Sequence, residues 1–88
     1  MTRRRVVVHG MVQGVFFRES CRQEAQRHGV VGWVTNRPDG AVEAHFEGDP
    51  AAVETMVAWA GHGPRHANVE RVETWDEEPA GDTRFSVR

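Results

Sequence analysis

Two glycines and an arginine near the start of the chain have the types and spacing to bind an anion. The stretch reads VVVHGMVQGVFFRES and contains Gly10, Gly14 and Arg18. The valine run is typical of a strand and the residues after the second glycine suit a helix, so the glycines lie at a strand-to-helix junction. Such a junction can gather backbone N–H groups beside the positive end of a helix, where a phosphate-sized anion binds.

Arg18 strengthens this interpretation because it falls in the first turn of the predicted helix. A cation there is unfavourable against the helix dipole, and a bound anion would remove the conflict. The stretch lacks the Lys-Ser/Thr pair of a Walker loop and the glycine spacing of a dinucleotide-binding fingerprint. From these residues alone, a plain tight turn followed by a solvated arginine is an equally good explanation.

The length and composition predict one small domain, residues 1–88, in the cytoplasm, and we expect it to act as a monomer. The chain has neither Leu nor Ile, so valine, alanine, methionine and aromatic residues must fill its core. The net charge of −2 argues against a general nucleic-acid binder. All 11 basic residues are Arg, which either serves anion recognition or reflects codon usage in a GC-rich genome. A single Cys excludes an internal disulfide, and no segment approaches the roughly 20 apolar residues of a membrane span.

The hydrophobic patterns predict the order βαββαβ followed by a short terminal strand. Strands are predicted at 5–9, 30–36, 41–48, 68–76 and 84–88, and helices at 17–28 and 50–60. Asp49 and Pro50 have the types of an N-cap and a first helical residue. In the fourth strand Val69 and Val72 have opposite parity, which predicts either a bulge or a late start of the strand. In the terminal strand Phe85 and Val87 are expected to face inward.

This order predicts an α+β fold, the ferredoxin-like split β-α-β sandwich. Its antiparallel sheet of four main strands would carry both helices on one face. The first two strands are separated by the third but run in the same direction, so both end at the same edge of the sheet. The glycine loop and Asn36 can therefore meet there. Considered alone, Asn36 is also explained as a turn residue that satisfies its own backbone before Pro38.

Two ordered motifs resemble those of the acylphosphatase family. GMVQGVFFR, residues 10–18, is similar to the family's first signature, G-x-V-Q-G-V-x-F-R. GVVGWVTNRPDGAVE, residues 29–43, is similar to the second, G-x-x-G-W-V-x-N-x-x-D-G-x-V-E. The spacing between the motifs, the chain length and the closing RFSVR also fit, so the resemblance covers essentially the whole chain.

The resemblance implies hydrolysis of the carboxyl–phosphate bond of acyl phosphates, with no metal or cofactor. It implies that Arg18 binds the phosphate, that Asn36 positions the attacking water and that the 10–16 backbone forms a cradle. The implied phosphate-binding residues are Gly10, Met11, Val12, Gln13, Gly14, Val15, Phe16 and Arg18. The implied partners are a small-molecule acyl phosphate and inorganic phosphate, as product and inhibitor.

Two other functions fit the same fold. Many RNA-binding modules share this layout and stack bases on the open sheet face, but here Glu43, His45 and Glu47 occupy that face of the third strand and would repel phosphates. A domain that senses phosphate or binds a protein, with the cradle but without turnover, stays open from the sequence. Release of phosphate from benzoyl phosphate would separate the enzyme from both.

The remaining reactive side chains favour structural roles. Cys21 lies on the apolar stripe of the first helix, as a core cysteine would. His62 and His66 are separated by a glycine and a proline, which favours an exposed loop over a metal site. His9 ends the first strand beside the cradle, where packing or exposure is favoured over electrostatic tuning of the site. The three tryptophans are expected to pack: Trp33, Trp59 and Trp75.

Overall fold

The computed structural model describes all residues, 1–88, and confirms the predicted order of elements. The strands are β1 Thr2–Met11, β2 Val31–Asn36, β3 Val42–Gly48, β4 Asn68–Glu77 and β5 Phe85–Val87, and the helices are α1 Phe17–Arg27 and α2 Pro50–Ala60. β1 is longer than expected and continues to Met11, so the loop outside regular structure is residues 12–16. Neither helix has the length and apolar character needed to cross a membrane.

The strands form one sheet in the order β4-β1-β3-β2-β5. The four main strands pair antiparallel, as predicted, and β5 adds a parallel pair with β2. Helix α1 packs against β2 and β5, and α2 packs against β1 and β3. The ferredoxin-like α+β fold, with two helices on one face of the sheet, is therefore confirmed.

The core lies between the helices and this face, where side chains alternate inward along each strand. Without Leu or Ile, it is filled mainly by valines and two stacked rings, Phe46 and Phe85, whose centroids are 5.8 Å apart. The buried helix stripes are Phe17, Cys21 and Ala25 in α1, and Val53, Met56 and Ala60 in α2. The buried inward position expected for Val87 is wrong: it remains 39% exposed because it lines an open cavity at the edge of the sheet.

The strand register brings the ends of β1 and β2 to the same edge. Val8 of β1 and Asn36 of β2 both pair with Val42 of β3, so they lie level across the sheet. The expectation that the glycine loop and Asn36 share an edge is confirmed by this register.

A β-bulge fixes the start of the loop. His9 pairs with Arg71 and Gly10 pairs with Val69, which leaves Glu70 as the extra residue of β4 and confirms the predicted bulge. Gly10 has φ 129°, and a Cβ there would lie 2.2 Å from a backbone carbonyl oxygen of β4. Only glycine allows the two backbones to approach this closely.

The face of the sheet away from the helices is covered by ion pairs. Arg3 is buried and contacts three carboxylates, those of Glu47 at 3.0 Å, Glu77 at 3.1 Å and Asp82 at 3.0 Å. The ring nitrogens of His45 lie 2.7 Å from the carboxylates of Glu43 and Glu77. The carboxylates and cations of this face are therefore paired with one another.

Two of the three tryptophans pack as expected. Trp59 lies against Phe17, with centroids 5.3 Å apart, and Trp33 stacks on His45 at 4.1 Å. Trp75 is 42% exposed and contacts Arg5 through its ring face.

Candidate active site

A cavity of about 360 Å³ opens at the edge where β1 and β2 end. It is lined by Val12, Gly14, Phe16, Phe17, Arg18, Glu19, Asn36 and Val87. The strand register and the start of α1 thus bring Arg18 and Asn36, 18 positions apart in sequence, to one cavity. The cavity is within the size range of small-molecule sites.

The cavity contains only part of the predicted cradle. Val12, Gly14 and Phe16 line it. Gly10 and Met11 instead extend β1 and pair with β4, Val15 packs against the core, and the Gln13 side chain bonds elsewhere. For all eight predicted residues, contact with phosphate stays a prediction.

The loop and the first turn of α1 offer a row of unused donors. From Val12 to Glu19, no backbone N–H donates a hydrogen bond within the chain. Gly14 and Phe16 have left-handed backbones, with φ 75° and 62°. Left-handed residues in such a loop can turn successive N–H groups toward one concave side, as in an anion-binding nest.

The two helices begin in different ways. α2 starts as its sequence predicts: the Asp49 side chain accepts from the N–H of Ala51 at 3.2 Å, and Pro50 occupies the first turn. At the N-cap of α1, Phe16 makes no side-chain hydrogen bond to the helix. The first N–H groups of α1 are therefore left for an external acceptor.

Arg18 is exposed and forms no ion pair or hydrogen bond within the chain. Its acidic neighbour Glu19 binds Arg22 instead, with Arg22 Nε 2.9 Å from Glu19 Oε1 and a second contact to Oε2. This pairing holds the pKa of Glu19 below its ordinary value. The carboxylate nearest in sequence is thus neutralised by Arg22, and the Arg18 guanidinium stays free for a ligand.

Asn36 is half-buried and its carboxamide forms no hydrogen bond within the chain. The following turn is closed without it: Arg37 N–H donates to the Ala41 carbonyl at 2.8 Å, and Ala41 N–H donates to Asp39 Oδ1 at 3.0 Å. The bond from Ala41 is the main reason that the pKa of Asp39 is lowered. The Asn36 side chain therefore does not satisfy the backbone of this turn, as the alternative interpretation from the sequence required.

Sequence reasoning missed the role of the Gln13 side chain. Its Nε2 donates to the carbonyls of Arg37 and Ala41 at 2.8 and 3.0 Å. These bonds tie the glycine loop to the turn that follows Asn36. Two features of the sequence could have indicated this contact. Gln13 in the first motif is a primary amide with two N–H donors, and the second motif contains a tight turn whose carbonyls could accept from it.

The other candidates lie outside the cavity. Cys21 is fully buried, and burial raises the pKa of its thiol well above the ordinary range, as suits a core residue. His9 is half-buried with Nε2 2.7 Å from Glu73 Oε1. His62 and His66 are exposed. No group of three or more His, Cys, Asp or Glu side chains is arranged to hold a metal ion.

Fold and site together define a ferredoxin-like domain with an anion-binding loop at one sheet edge. A family model described as acylphosphatase matches residues 4–87. Acylphosphatase from Rubrobacter xylanophilus is 56% identical over 85 residues, covering 96% of this chain and 77% of that protein, and the one from Gloeobacter violaceus is 53% identical, covering 97% and 91%. The crystal structure of acylphosphatase from Bacillus subtilis superposes with a TM-score of 0.96 at 35% identity, over 100% of this chain and 99% of that one. The chain belongs to the acylphosphatase family.

Proposed function

We propose that Arg18, the free N–H groups of the loop and Asn36 together carry out hydrolysis of the carboxyl–phosphate bond of acyl phosphates. Membership of the family, with relatives of this name at more than 50% identity, supports the activity itself. One observation supports the roles: a free guanidinium, a free carboxamide and a row of free N–H donors belong to one cavity. The substrate is a small molecule, and inorganic phosphate is one product.

Binding follows from charge and geometry. The phosphate of an acyl phosphate is an anion, and the Arg18 fork can donate two parallel hydrogen bonds to its oxygens. Further bonds come from the N–H groups of residues 12–19, beside the positive end of α1. A guanidinium that is unfavourable at this position in the free protein becomes favourable once the anion is present.

The reaction is a displacement at phosphorus. Asn36 can donate and accept hydrogen bonds, so it can hold a water molecule opposite the bond to be broken. As the water oxygen bonds to phosphorus, the bond to the carboxylate oxygen breaks and its electron pair leaves with the carboxylate. The water proton passes to a phosphate oxygen. Phosphoryl transfer of this kind requires mainly positioning and stabilisation of charge.

The leaving group explains why no general acid is needed. A carboxylate leaves as a weak base, since its conjugate acid has a pKa of about 4, so it requires no proton from the enzyme. Glu19 is engaged by Arg22 and is not required in this scheme. Neither a metal nor a cofactor takes part, and a chelator should leave the rate unchanged; loss of activity in EDTA would contradict this part of the proposal.

The decisive experiment is Asn36→Ala, assayed by release of phosphate from benzoyl phosphate. We expect kcat to fall roughly 100-fold or more while inhibition by inorganic phosphate is nearly unchanged, because Asn36 acts on water and Arg18 on phosphate. Asn68→Ala is the matched control, since Asn68 is exposed in β4 and outside the cavity. Lost phosphate inhibition with retained turnover would contradict the assigned roles. No turnover in the wild type would favour a phosphate-sensing domain.

We also propose that inorganic phosphate competes with substrate and that the chain acts as a monomer in the cytoplasm. Competition follows from a shared cradle and is measured by the dependence of KM on phosphate concentration. The oligomeric state is measured by light scattering at assay concentration.

A further inference from the structure

Part of the cavity has no role in binding phosphate or water. Half of its lining is apolar, and two of these side chains remain exposed: Phe16 at 81% and Val87 at 39%. Neither belongs to the hydrophobic core or packs against it. The other two, Val12 and Phe17, are buried and underlie the cavity. The exposed apolar surface is therefore next to the cradle but is not required by the fold.

The backbone conformation of Phe16 is a second indication that its side chain is not required by the fold. Phe16 is the only residue other than glycine with positive φ, at 62°. For a bulky side chain this conformation is an outlier, and such outliers cluster at functional sites. Glycine or asparagine would adopt it at lower cost. The ring is not part of any aromatic pair and not covered by the fold. Packing therefore does not explain why this position has a large aromatic side chain.

We propose that Phe16 and Val87 form an acyl-binding wall, and that the enzyme prefers acyl phosphates with uncharged apolar acyl groups, above all aromatic ones. The inference rests on the proposed function, which places the phosphate at Arg18 and the loop. The acyl group must then extend from the cradle into the rest of the same cavity. An aromatic acyl group would bury surface of both side chains and can stack on the Phe16 ring.

The charges around the cavity disfavour acyl groups with their own negative charge. Glu19 and Arg18 are its only charged lining residues. With Arg18 bound to the phosphate, a second anionic group would find no free cation in the lining, because the Glu19 carboxylate is already paired with Arg22 and leaves no positive charge there to share. Arg37, close in sequence to Asn36, is paired with Asp39 and Glu43. Dicarboxylic acyl phosphates should therefore be poorer substrates than benzoyl phosphate.

The test is a ratio of specificity constants, kcat/KM for benzoyl phosphate over kcat/KM for acetyl phosphate. A ratio cancels any change that a substitution makes to the cradle shared by both substrates. We expect Phe16→Asn to lower the ratio about tenfold, from loss of ring contact, and Val87→Thr to lower it about threefold. Trp75→Ala, which removes an exposed aromatic on the ion-paired face, should leave the ratio unchanged.

The melting temperature distinguishes an acyl-binding role of Phe16 from a structural one. Substitution of a residue that stabilises the fold would lower the melting temperature. Asparagine tolerates the left-handed backbone, so Phe16→Asn should raise the melting temperature by roughly 2–4 °C while lowering the ratio. Turnover of both substrates with an unchanged ratio in Phe16→Asn and Val87→Thr would overturn the inference. Faster hydrolysis of succinyl phosphate than of benzoyl phosphate would overturn it as well. Failure of the wild type to hydrolyse any of them would instead refute the proposed function.

Discussion

Two arginines of this chain have opposite surroundings. Arg3 is 6% exposed and is held by the carboxylates of Glu47, Glu77 and Asp82. Arg18 is exposed at the cavity and meets no carboxylate. The donors of Arg3 are satisfied by the fold, whereas those of Arg18 are available to a ligand.

The difference shows that environment, not residue type, assigns an arginine its function. Every basic residue here is Arg, so composition alone singles out none of them. A buried ion pair is costly to break, because removal of one partner leaves the other charge desolvated. An unpaired arginine at a helix start costs little to remove but is required wherever an anion binds. The same substitution at the two positions should therefore separate stability from activity.

The largest effect is expected for Arg18→Met, which removes the charge from the phosphate site. We expect kcat/KM for benzoyl phosphate to fall roughly 1,000-fold or more, with a large loss of inhibition by phosphate. The free energy of unfolding should stay constant or rise, because a cation is removed from a helix N-terminus. Arg84→Met is the matched control, since Arg84 is also exposed and unpaired. Equal losses in both variants would mean that Arg18 has no special role.

The reverse pattern is expected for Arg3→Met. Glu47, 2% exposed, would keep a buried charge without its guanidinium partner, so the free energy of unfolding should fall by about 3 kcal/mol. Urea denaturation measures this loss. Turnover per folded molecule should match the wild type, because the Arg3 cluster lies on the ion-paired face. A large loss of kcat in the folded variant would break the contrast between the two arginines.

A smaller effect is expected at acidic pH, where protonation of Glu47 in the same cluster should lower the stability of the fold. Burial would raise the pKa of Glu47, but hydrogen bonds from the Ala80 N–H, from Arg3 and from the Gly81 N–H outweigh it, so the pKa lies below its ordinary value of 4.5. The unfolded chain then binds the proton more tightly than the folded one. The stabilisation is complete above pH 4.5 and is lost as the pH falls through the folded pKa.

Urea midpoints measured from pH 7 downward test this in Glu47→Gln. This variant should be less stable at neutral pH but should show a shallower decline below pH 4.5 than the wild type. Parallel declines in the two proteins would mean that other carboxylates control acid unfolding. The half-buried Glu43, paired with a histidine and two arginines, is not suited as a replacement test because several partners would change together.

Much of the fold and the site followed from local patterns. Strand alternation, helix stripes and the Asp49-Pro50 start depend on neighbours in sequence, and each was predicted from them. The meeting of the loop with Asn36 followed from strand directions alone. The glycine at position 10 was recognised as part of a bend, although its reason is close contact with β4.

The features that were not predicted depend on contacts between side chains that are distant in sequence. The Gln13 amide reaches carbonyls 24 and 28 positions away, and no local pattern marks such a contact. Val87 continues the parity of Phe85, yet it is exposed because the sheet ends beside it. His45 has one carboxylate partner in its own strand, Glu43, and a second, Glu77, in β4 on the far side of β1, which only the register between β1, β3 and β4 brings close.

The bulge at Gly10 has a consequence for how the enzyme becomes active as it folds. The loop begins where β1 pairs with Val69 and Asn68, close to the far end of the chain. Contacts of such long sequence separation form late, after the entropy of closing a large loop has been overcome. During synthesis, the segment with both signature motifs leaves the ribosome before the strand that anchors its start. We therefore expect that no partly folded chain lacking β4 turns over substrate, so recovery of activity during refolding reports the docking of the last long strand.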